Sequence, residues 1–387
     1  EQPEERVTSL VQVLELVRLD GDVFGLGLRS AIPEGAHTEL KERLLEARGA
    51  MQSQLGASPD LARLVEPFDP DRYNGNATLA ENLLFGSPIG PTFDLDQLAD
   101  QPYVVATLES TGLLAELYEV GFRLAQTMVE LFADLPPEHE YFSQFSFIAP
   151  EDLPTYRALL GRASPGRLQE LSRSDRQLLL APTFRLIPAR HRLGLIPPEL
   201  MEKVLAARRH FREHLPQEYE AAIAFFDPDS YNQAITIQEN VIFGKIAYGQ
   251  AQAPQRIAEL LTELLDRLEL RTGVMAVGLD SPVGIAGGRL SMAQRQKLGL
   301  ARAMVKRPQM LVLYDPLGPL DQREQIEVRD ALLEASNGRS LIWALQHDDW
   351  ASRFDQVIEL DEGRLVGVGP PAGAEPRQAS APLMTAK

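Results

Sequence analysis

Residues 290–321 read LSMAQRQKLGLARAMVKRPQMLVLYDPLGPLD and decide the fold of the chain. Within this stretch, the four consecutive apolar residues 310–313 lead into Tyr314 and Asp315. Two further segments follow, LIWALQHDD around His347 and FDQVIELDEGRLVGVG at residues 354–369.

This stretch resembles the nucleotide-binding domains of ABC transporters. In that family a signature LSGGQ opens a helix, an apolar strand ends in Asp-Glu, a loop closes with Leu-Asp, and a later strand delivers a switch histidine. Without a gap, Ser291 and Gln294 fall on the signature, Asp315 on the glutamate, Asp321 on the loop and His347 on the histidine. The resemblance implies a partial sheet of the ABC type of P-loop NTPase.

The family's residues have physical roles. The N-terminus of a helix carries unpaired N–H groups and a partial positive charge, which favour an anionic phosphate. The carboxylates after the strand hold Mg²⁺ and orient the attacking water. The resemblance implies catalytic roles for Asp315 and His347, and nucleotide contacts for Ser291, Gln294 and Asp321, while no protein-held metal site is predicted.

Four positions depart from the family pattern. Tyr314 replaces the magnesium aspartate, the shorter Asp315 replaces the glutamate, and Met292 and Ala293 replace the signature glycines. A phenol is a poor ligand for a hard cation. A side chain where the backbone should meet phosphate weakens the close approach that glycine permits. We therefore expect a degenerate site that caps a nucleotide without hydrolysing it fast.

No convincing P-loop, G-x-x-x-x-G-K-[ST], precedes these motifs. The nearest string, GRASPGRL at residues 161–168, has Arg167 and Leu168 at the Lys and Ser/Thr positions and lies in helical sequence, so we reject it. Either the chain is part of a longer protein with an upstream P-loop, which we favour, or nucleotide binding has been lost. ATP and Mg²⁺ are expected only if an upstream or partner P-loop is supplied.

An internal repeat organises the rest of the chain. FDPDRYNGNATLAENLLFG at residues 68–86 returns as FDPDSYNQAITIQENVIFG at residues 226–244, a shift of 226 − 68 = 158, with 11 of 19 positions identical. Matched helices precede the two copies, ELKERLLEAR at residues 39–48 and ELMEKVLAAR at residues 199–208. Each unit is predicted to be an amphipathic helix, an F-D-P-D turn and a second helix that ends at Gly.

The helix after each turn is expected to be capped by Thr78 in one copy and by Thr236 in the other. The T-x-x-E-N-x-x-F-G tail resembles the segment that follows the glutamine loop of exporter-type cassettes and lies against helices from the transmembrane domain. Pro70 and Pro228 stand where the loop's glutamine is expected, which puts phosphate sensing in doubt. The alternative is that each copy is only a capped helix packed by its apolar stripe.

Composition sets outer bounds. The formal net charge is −17, so a nucleic-acid partner is not expected. The absence of cysteine excludes disulfides and thiolate metal sites, and no uncharged apolar run is long enough to span a membrane. The chain is predicted to be cytoplasmic, at the cytoplasmic face of a membrane, with the spanning part in another chain or a missing segment.

Residues 208–214 contain a metal-site pattern and a cluster of arginines, and we interpret both as structural features of one helix. His210, Glu213 and His214 match the H-x-x-E-H zinc-peptidase pattern, but the first repeat has Ala50 and Gln54 at the histidine positions. We therefore favour a charged, exposed helix face over a zinc site. The cluster of Arg208, Arg209 and Arg212 is likewise interpreted as a solvated helix face.

The resulting prediction divides the chain into a first repeat unit (1–86), a helical spacer (87–198), a second repeat unit that continues into the ABC-type region (199–369) and a disordered tail (370–387). The fold class is α/β with a large helical share, and the N-terminal half is mostly helical.

The resemblance implies the nucleotide-binding portion of an ABC-type transporter, with a transmembrane domain and a second nucleotide-binding domain as partners. It implies an ABC-type ATPase family, but we expect the chain to be inactive alone. The alternative is a non-catalytic helical repeat scaffold or regulatory protein that derives from an ABC cassette.

Overall fold

The architecture is taken from a computed structural model, which describes residues 3–136, 138–345 and 348–370. Contacts divide the chain into two units: a terminal unit, Glu1–Val23 with Pro282–Lys387, and a central unit, Phe24–Ser281. The division predicted at residues 86, 198 and 369 follows repeats and not contacts, and it stays a prediction. Most of the predicted tail lies outside the described residues.

Helices dominate the described chain. The α-helices are α1 Pro3–Leu16, α2 Asp20–Leu28, α3 Thr38–Gly56, α4 Pro59–Ala62, α5 Leu79–Leu84, α6 Pro102–Ser110, α7 Leu113–Phe132, α8 Glu140–Phe145, α9 Leu153–Arg162, α10 Arg173–Thr183, α11 Pro188–His191, α12 Pro198–Glu213, α13 Ile237–Ile242, α14 Ala253–Arg267, α15 Arg271–Leu279, α16 Met292–Val305 and α17 Gln322–Ala335. The strands are β1 Val65–Pro67, β2 Gly86–Pro88, β3 Ile223–Phe225, β4 Gly244–Ile246, β5 Met310–Tyr314, β6 Ser340–Ala344, β7 Val357–Asp361 and β8 Arg364–Gly369. Within the described ranges, no helix is both long and apolar enough to cross a membrane.

The predicted helical spacer forms much of the core of the central unit. Helix α7 buries one face, and it crosses α10 so closely that a Cβ at Gly121 would lie 2.0 Å from the carbonyl oxygen of Leu179. The buried side chains Leu117, Leu124 and Phe184 belong to the same apolar cluster. The spacing of apolar residues in this segment therefore reflects a helical core, as expected.

Both copies of the repeated stretch form the same local structure. The side chain of Thr78 accepts a hydrogen bond from the backbone N–H of Glu81, and Thr236 accepts one from Glu239, so both predicted caps are confirmed. In each copy the glutamate side chain bonds back to the threonine N–H and completes a capping box. Local sequence alone accounts for the start of both helices.

The ends of these helices differ from the prediction of a stop at Gly. The left-handed residue that ends each helix is Phe85 (φ 45°) or Phe243 (φ 46°), and the glycine that follows is already in a strand. A Cβ at Gly86 would lie 2.7 Å from the carbonyl oxygen of Ala224, and one at Gly244 would lie 2.6 Å from that of Glu66. The glycines are thus required by close strand pairing across the two repeats.

Within the central unit, strands and helices of each repeat pair and pack with those of the other repeat. Strand β1 pairs antiparallel with β4, and β2 pairs antiparallel with β3, so each two-stranded sheet takes one strand from each repeat. Helix α3, from the first repeat, packs on α13 of the second, while α12 packs on α5. The rings of Phe68 and Phe226, at equivalent positions, stack with centroids 4.0 Å apart. The contacts are reciprocal, as in a twofold dimer whose halves share one chain.

The terminal unit contains the predicted strand before Tyr314. Strand β5 pairs in parallel with β6, with Val312 opposite Ile342, and β7 and β8 form an antiparallel hairpin. Leu311 and Leu313 are buried on one face of β5, and helices α1, α16 and α17 contact one another. The parallel pair and the helices give a small α/β arrangement in a chain that is about 55% helical.

Candidate functional site

The helix that carries the signature-like residues begins with a complete cap. The hydroxyl of Ser291 accepts a hydrogen bond from the backbone N–H of Gln294 at 3.1 Å, and the Gln294 side-chain oxygen accepts one from the Ser291 N–H at 2.9 Å. Met292 is 67% exposed at the position of the first signature glycine. Two predicted site residues are therefore in direct contact at the start of α16.

The side-chain amide of Gln294 has a second partner, on its nitrogen. Its side-chain NH₂ donates to a carboxylate oxygen of Asp22 at 2.8 Å, so both ends of the amide have protein partners. One turn further along, the amine of Lys297 donates to the carbonyl of Arg18 at 3.0 Å and to Glu324 at 2.6 Å. Arg18, between α1 and α2, and Asp22, in the first turn of α2, thus hold α16 in place. The sequence did not predict these contacts.

The end of β5 places the carboxylate that was predicted to be catalytic. Asp315 has φ 41°, a left-handed conformation that turns the chain sharply after the strand. Its carboxylate oxygens face Gly318 so closely that a Cβ there would lie 2.8 Å from each. The phenol of Tyr314 is 83% exposed and has no hydrogen-bond partner in the part of the chain that the structure describes.

Asp321 begins the next helix. Its carboxylate accepts a hydrogen bond from the backbone N–H of Glu324 at 2.9 Å, so its oxygen caps α17. Glu324 is the residue that pairs with Lys297, which joins the second turn of α16 to the first turn of α17. On α16, the Gln296 side chain donates to the carbonyl oxygen of Asp315 at 3.4 Å.

The predicted residues therefore lie on three elements whose ends meet: the start of α16, the end of β5 and the start of α17. A cavity of about 120 Å³ lies at the end of β5 and is lined by Asp315, Gly318, Gln325 and Trp343, among others. His347 lies outside the described residues, so its predicted role stays a prediction. No contact joins Ser291 or Gln294 directly to Asp315 or Asp321.

The side chains at this site do not fit Mg²⁺ without help from elsewhere. The cation needs several oxygen ligands in an octahedral arrangement. Here the residue at the end of the strand is a phenol, and the neighbouring carboxylate is directed at its own turn. Among the described residues, no three of His, Asp or Glu converge in a way that could hold a metal ion.

The two T-x-x-E-N segments are covered by helices of this chain. Residues 79–84 and 237–242 bury their apolar side chains, chiefly against α12 and α3. Burial alone would raise the pKa of Glu81, but the ion pair with Lys245 at 2.7 Å outweighs it, and the pKa lies below its usual range. The apolar stripe is thus used inside the central unit, while the predicted contact with a transmembrane domain stays a prediction.

Sequence reasoning missed two buried arginines, and its interpretation of Arg208 as part of a solvated face is wrong. Arg208 is 4% exposed and Arg48 is 2% exposed. Each guanidinium reaches the F-D-P-D turn of the opposite repeat, where it donates to three backbone carbonyls and to an Asn of the capped helix. The signal was present, because both arginines end the matched helices at the same position.

His210 and His214 form a stacked pair, and within the described part of the chain no third His, Asp or Glu joins them in a group that could hold a metal ion. Their ring centroids are 4.3 Å apart with planes 20° apart. His214 Nδ1 lies 3.0 Å from the carbonyl oxygen of His210, and His210 Nε2 lies 3.4 Å from the Ser110 hydroxyl. These contacts support the interpretation of the H-x-x-E-H pattern as part of a helix face.

Known proteins resemble part of the chain. An ATP-dependent lipid A-core flippase of Xanthomonas oryzae pv. oryzae is 34% identical over 134 residues, which is 35% of this chain and 22% of the flippase. The flippase of the same name from Pseudomonas putida is 28% identical over 239 residues, 60% of this chain and 34% of that protein. An uncharacterized ABC transporter ATP-binding protein of Mycobacterium tuberculosis is 31% identical over 159 residues, 41% of this chain and 26% of that protein.

No protein-family model matches the chain. No solved structure matches it. The chain spans between 22% and 34% of the length of these three relatives. Over part of its length, the chain is therefore similar to ATP-binding proteins of ABC transporters.

Proposed function

We propose that this chain supplies the signature and post-strand part of a nucleotide-binding domain in an ABC-type transporter. It caps a nucleotide that a P-loop elsewhere holds, and it passes the bound state to a membrane partner. Hydrolysis at its own degenerate site is slow or absent, so the chain acts through binding. Its partners are a transmembrane domain and a second nucleotide-binding domain, at the cytoplasmic face of a membrane.

One observation carries this proposal. The box-capped start of α16, the turn after β5 and the capped start of α17 meet, and they are joined by Gln296 to Asp315 and by Lys297 to Glu324. Two helix N-termini at the end of a parallel strand make a favourable place for an anionic ligand. The likeness of part of the chain to ATP-binding proteins of ABC transporters adds support.

The role of each residue follows from this geometry. The hydroxyl of Ser291 and the amide of Gln294 would face the nucleotide at the start of α16, and Asp321 would hold the loop that closes the site. Asp315 and His347 would be the ancestral catalytic pair. Because Gln294 is bonded to Asp22, binding would require the Asp22 contact to open.

The test measures Mg-ATP binding to the chain alone and to the chain with a P-loop-bearing segment supplied. Ligand that binds only the folded state raises stability by about 2.7 kcal/mol at one hundred times its Kd, which a melting shift detects. We expect stabilisation only when the P-loop is present. The variant Ser291→Ala should weaken it, whereas Thr236→Ala, which removes an equivalent cap in the central unit, should not.

The second candidate is the non-catalytic scaffold. It is favoured by the exposed Tyr314 at the magnesium position and by the amide of Gln294 having partners at both ends. In this alternative, the two repeats of the central unit carry the functional surface. The terminal unit derives from an ABC cassette and has only a structural role. It predicts no nucleotide-dependent stabilisation even after a P-loop segment is added.

A further inference from the structure

A cleft on the first repeat differs from every site described so far. Its volume is about 290 Å³, and its lining includes the charged or polar side chains of Arg63, Glu66, Asp69, Arg72, Tyr73 and Asn76. It lies beside β1, within the central unit, where the F-D-P-D turn leads into the capped helix. We call it the first-repeat cleft.

The carboxylate in this cleft is held in a fixed position. One oxygen of Glu66 accepts hydrogen bonds from the backbone N–H of Asn76 at 3.0 Å and from its side-chain NH₂ at 2.7 Å. The Asn76 side-chain oxygen in turn accepts a hydrogen bond from the backbone N–H of Tyr248 at 2.7 Å. No described residue bonds the second oxygen of Glu66, which is free to accept from a ligand.

Two charged donors in the cleft lack strong partners among the described residues. Arg72 makes no ion pair with any of them. Arg63 only approaches Asp60 at 3.9 Å, and both side chains are largely exposed, so this pair contributes little. The hydroxyl of Tyr73 is buried beneath the cleft and is not accessible to a ligand.

The second repeat provides an internal comparison. At the shift of 158, four of these six lining residues correspond to small residues, which are Ala221 for Arg63, Ala224 for Glu66, Ser230 for Arg72 and Ala234 for Asn76, while Asp69 corresponds to Asp227. Tyr231 corresponds to Tyr73, and its hydroxyl is also buried without a partner. The repeat therefore folds without the charged residues, and they are what distinguishes the first-repeat cleft.

The mixture of charges selects the kind of ligand. Glu66 would repel a simple anion, and two arginines would repel a simple cation. A molecule with both charges satisfies both sets of groups. The two guanidinium groups of Arg63 and Arg72 suit the several oxygens of a phosphate better than the two of a carboxylate, because charged donors bind phosphate oxygens strongly.

We propose that the first-repeat cleft binds a small phosphate zwitterion, with its phosphate toward Arg63 and Arg72 and its ammonium toward Glu66. The same chemistry exists in a free metabolite and in a phospholipid head group. O-Phosphoethanolamine is the soluble probe. Vesicles of phosphatidylethanolamine with phosphatidylglycerol, compared with phosphatidylglycerol alone, are the membrane probe.

The test measures binding of O-phosphoethanolamine to the full chain by calorimetry. Loss of one charged contact should weaken binding about tenfold or more, so Arg72→Ser and Glu66→Ala should each show this loss. Both substitutions introduce the residue that the second repeat already has, so the fold tolerates them. Arg209→Ser, at an exposed arginine outside the cleft, should leave affinity unchanged.

Comparison of the soluble probe with the vesicles distinguishes a free metabolite from a phospholipid head group as the ligand. Binding of the soluble probe with no preference for phosphatidylethanolamine vesicles would identify a free metabolite. Preference for those vesicles that Arg72→Ser removes would identify a head group. The proposal is overturned if the probe does not bind saturably, if phosphate or ethanolamine alone binds as tightly, or if Arg209→Ser weakens binding as much as Arg72→Ser.

Discussion

Replacing Arg208 by Ala should unfold the central unit far more easily than replacing its neighbour Arg209. The Arg208 guanidinium donates to the carbonyls of Asp69 (3.1 Å), Pro70 (2.9 Å) and Arg72 (3.1 Å). It also donates to the backbone and side-chain oxygens of Asn82 at 2.6 and 3.0 Å, and its carbon lies 4.5 Å from the Phe85 ring centroid. Alanine removes every one of these contacts at once.

The magnitude follows from the buried acceptors that remain. A hydrogen bond to a charged group contributes about 1.5–3 kcal/mol, but such contributions do not add when one side chain makes them all. Removing one partner from a buried charged arrangement typically costs about 3–5 kcal/mol, and that is the loss of unfolding free energy we expect. Burial lowers the pKa of Arg208 to about 10, so the guanidinium remains charged at neutral pH.

The internal symmetry provides a replicate and a control. Arg48 makes the same five contacts to the other repeat, with its carbon 4.2 Å from the Phe243 ring, so Arg48→Ala should cost as much within about 1 kcal/mol. Arg209 is exposed, and Arg209→Ala should change stability by about 0.5 kcal/mol or less. Arg208→Lys should fall between, because an ammonium cannot replace the planar fork of donors.

Urea unfolding followed by far-ultraviolet circular dichroism gives the free energies. Both tryptophans, Trp343 and Trp350, belong to the terminal unit, so their fluorescence reports that unit separately. We expect the dichroism transition to shift while the fluorescence transition moves less. The reasoning would be refuted if Arg208→Ala lay within about 1 kcal/mol of Arg209→Ala.

Three further predictions rest on single contacts. Gly86→Ala should lower the free energy of unfolding by about 1–3 kcal/mol, because the new Cβ would lie 2.7 Å from the Ala224 carbonyl oxygen. Gly49→Ala, where no atom lies within 4 Å of the new Cβ, should be neutral or stabilising in the same urea assay. Lys297→Ala should lower the free energy of unfolding reported by tryptophan fluorescence by about 2–3 kcal/mol, because it leaves Glu324 and the Arg18 carbonyl without their partner. The control is Lys306→Ala, at an exposed lysine, and an equal effect from that variant would contradict the prediction. Burial lowers the pKa of His191, whose Nδ1 accepts a hydrogen bond from the Ile187 N–H at 2.9 Å. The unfolded chain therefore binds the proton more readily, and stability should fall as pH drops through the usual histidine range, with a shallower pH dependence in His191→Asn.

Local signals in the sequence were sufficient for several elements. Thr78 and Thr236 cap their helices because a hydroxyl three residues before a glutamate forms a capping box from neighbours alone. Ser291 and Gln294 do the same at the start of α16. The strand before Tyr314 was implied by the resemblance to ABC cassettes, and it exists at Met310–Tyr314.

Contacts between distant parts of the chain could not be predicted in this way. Arg208 lies on an amphipathic helix, where an arginine at the edge is usually solvated. Its burial depends on the exchange of helices between repeats, which a single helix pattern does not encode. Likewise, nothing near Gln294 in sequence indicates that Asp22, 272 positions away, will hold its amide.

The parallel pair β5 and β6 gives the proposed function its strongest physical argument outside the site itself. Parallel strands are almost always covered on both faces, yet Val312 is 65% exposed and its partner Ile342 is 53% exposed. Two strands with one bare apolar face are marginal by themselves. A P-loop-bearing segment that added strands and covered this face would remove that exposure and bring phosphate-binding amides to the end of β5, where Asp315 already lies. A scaffold that had lost nucleotide binding would gain nothing from the bare face, so this feature favours the composite site.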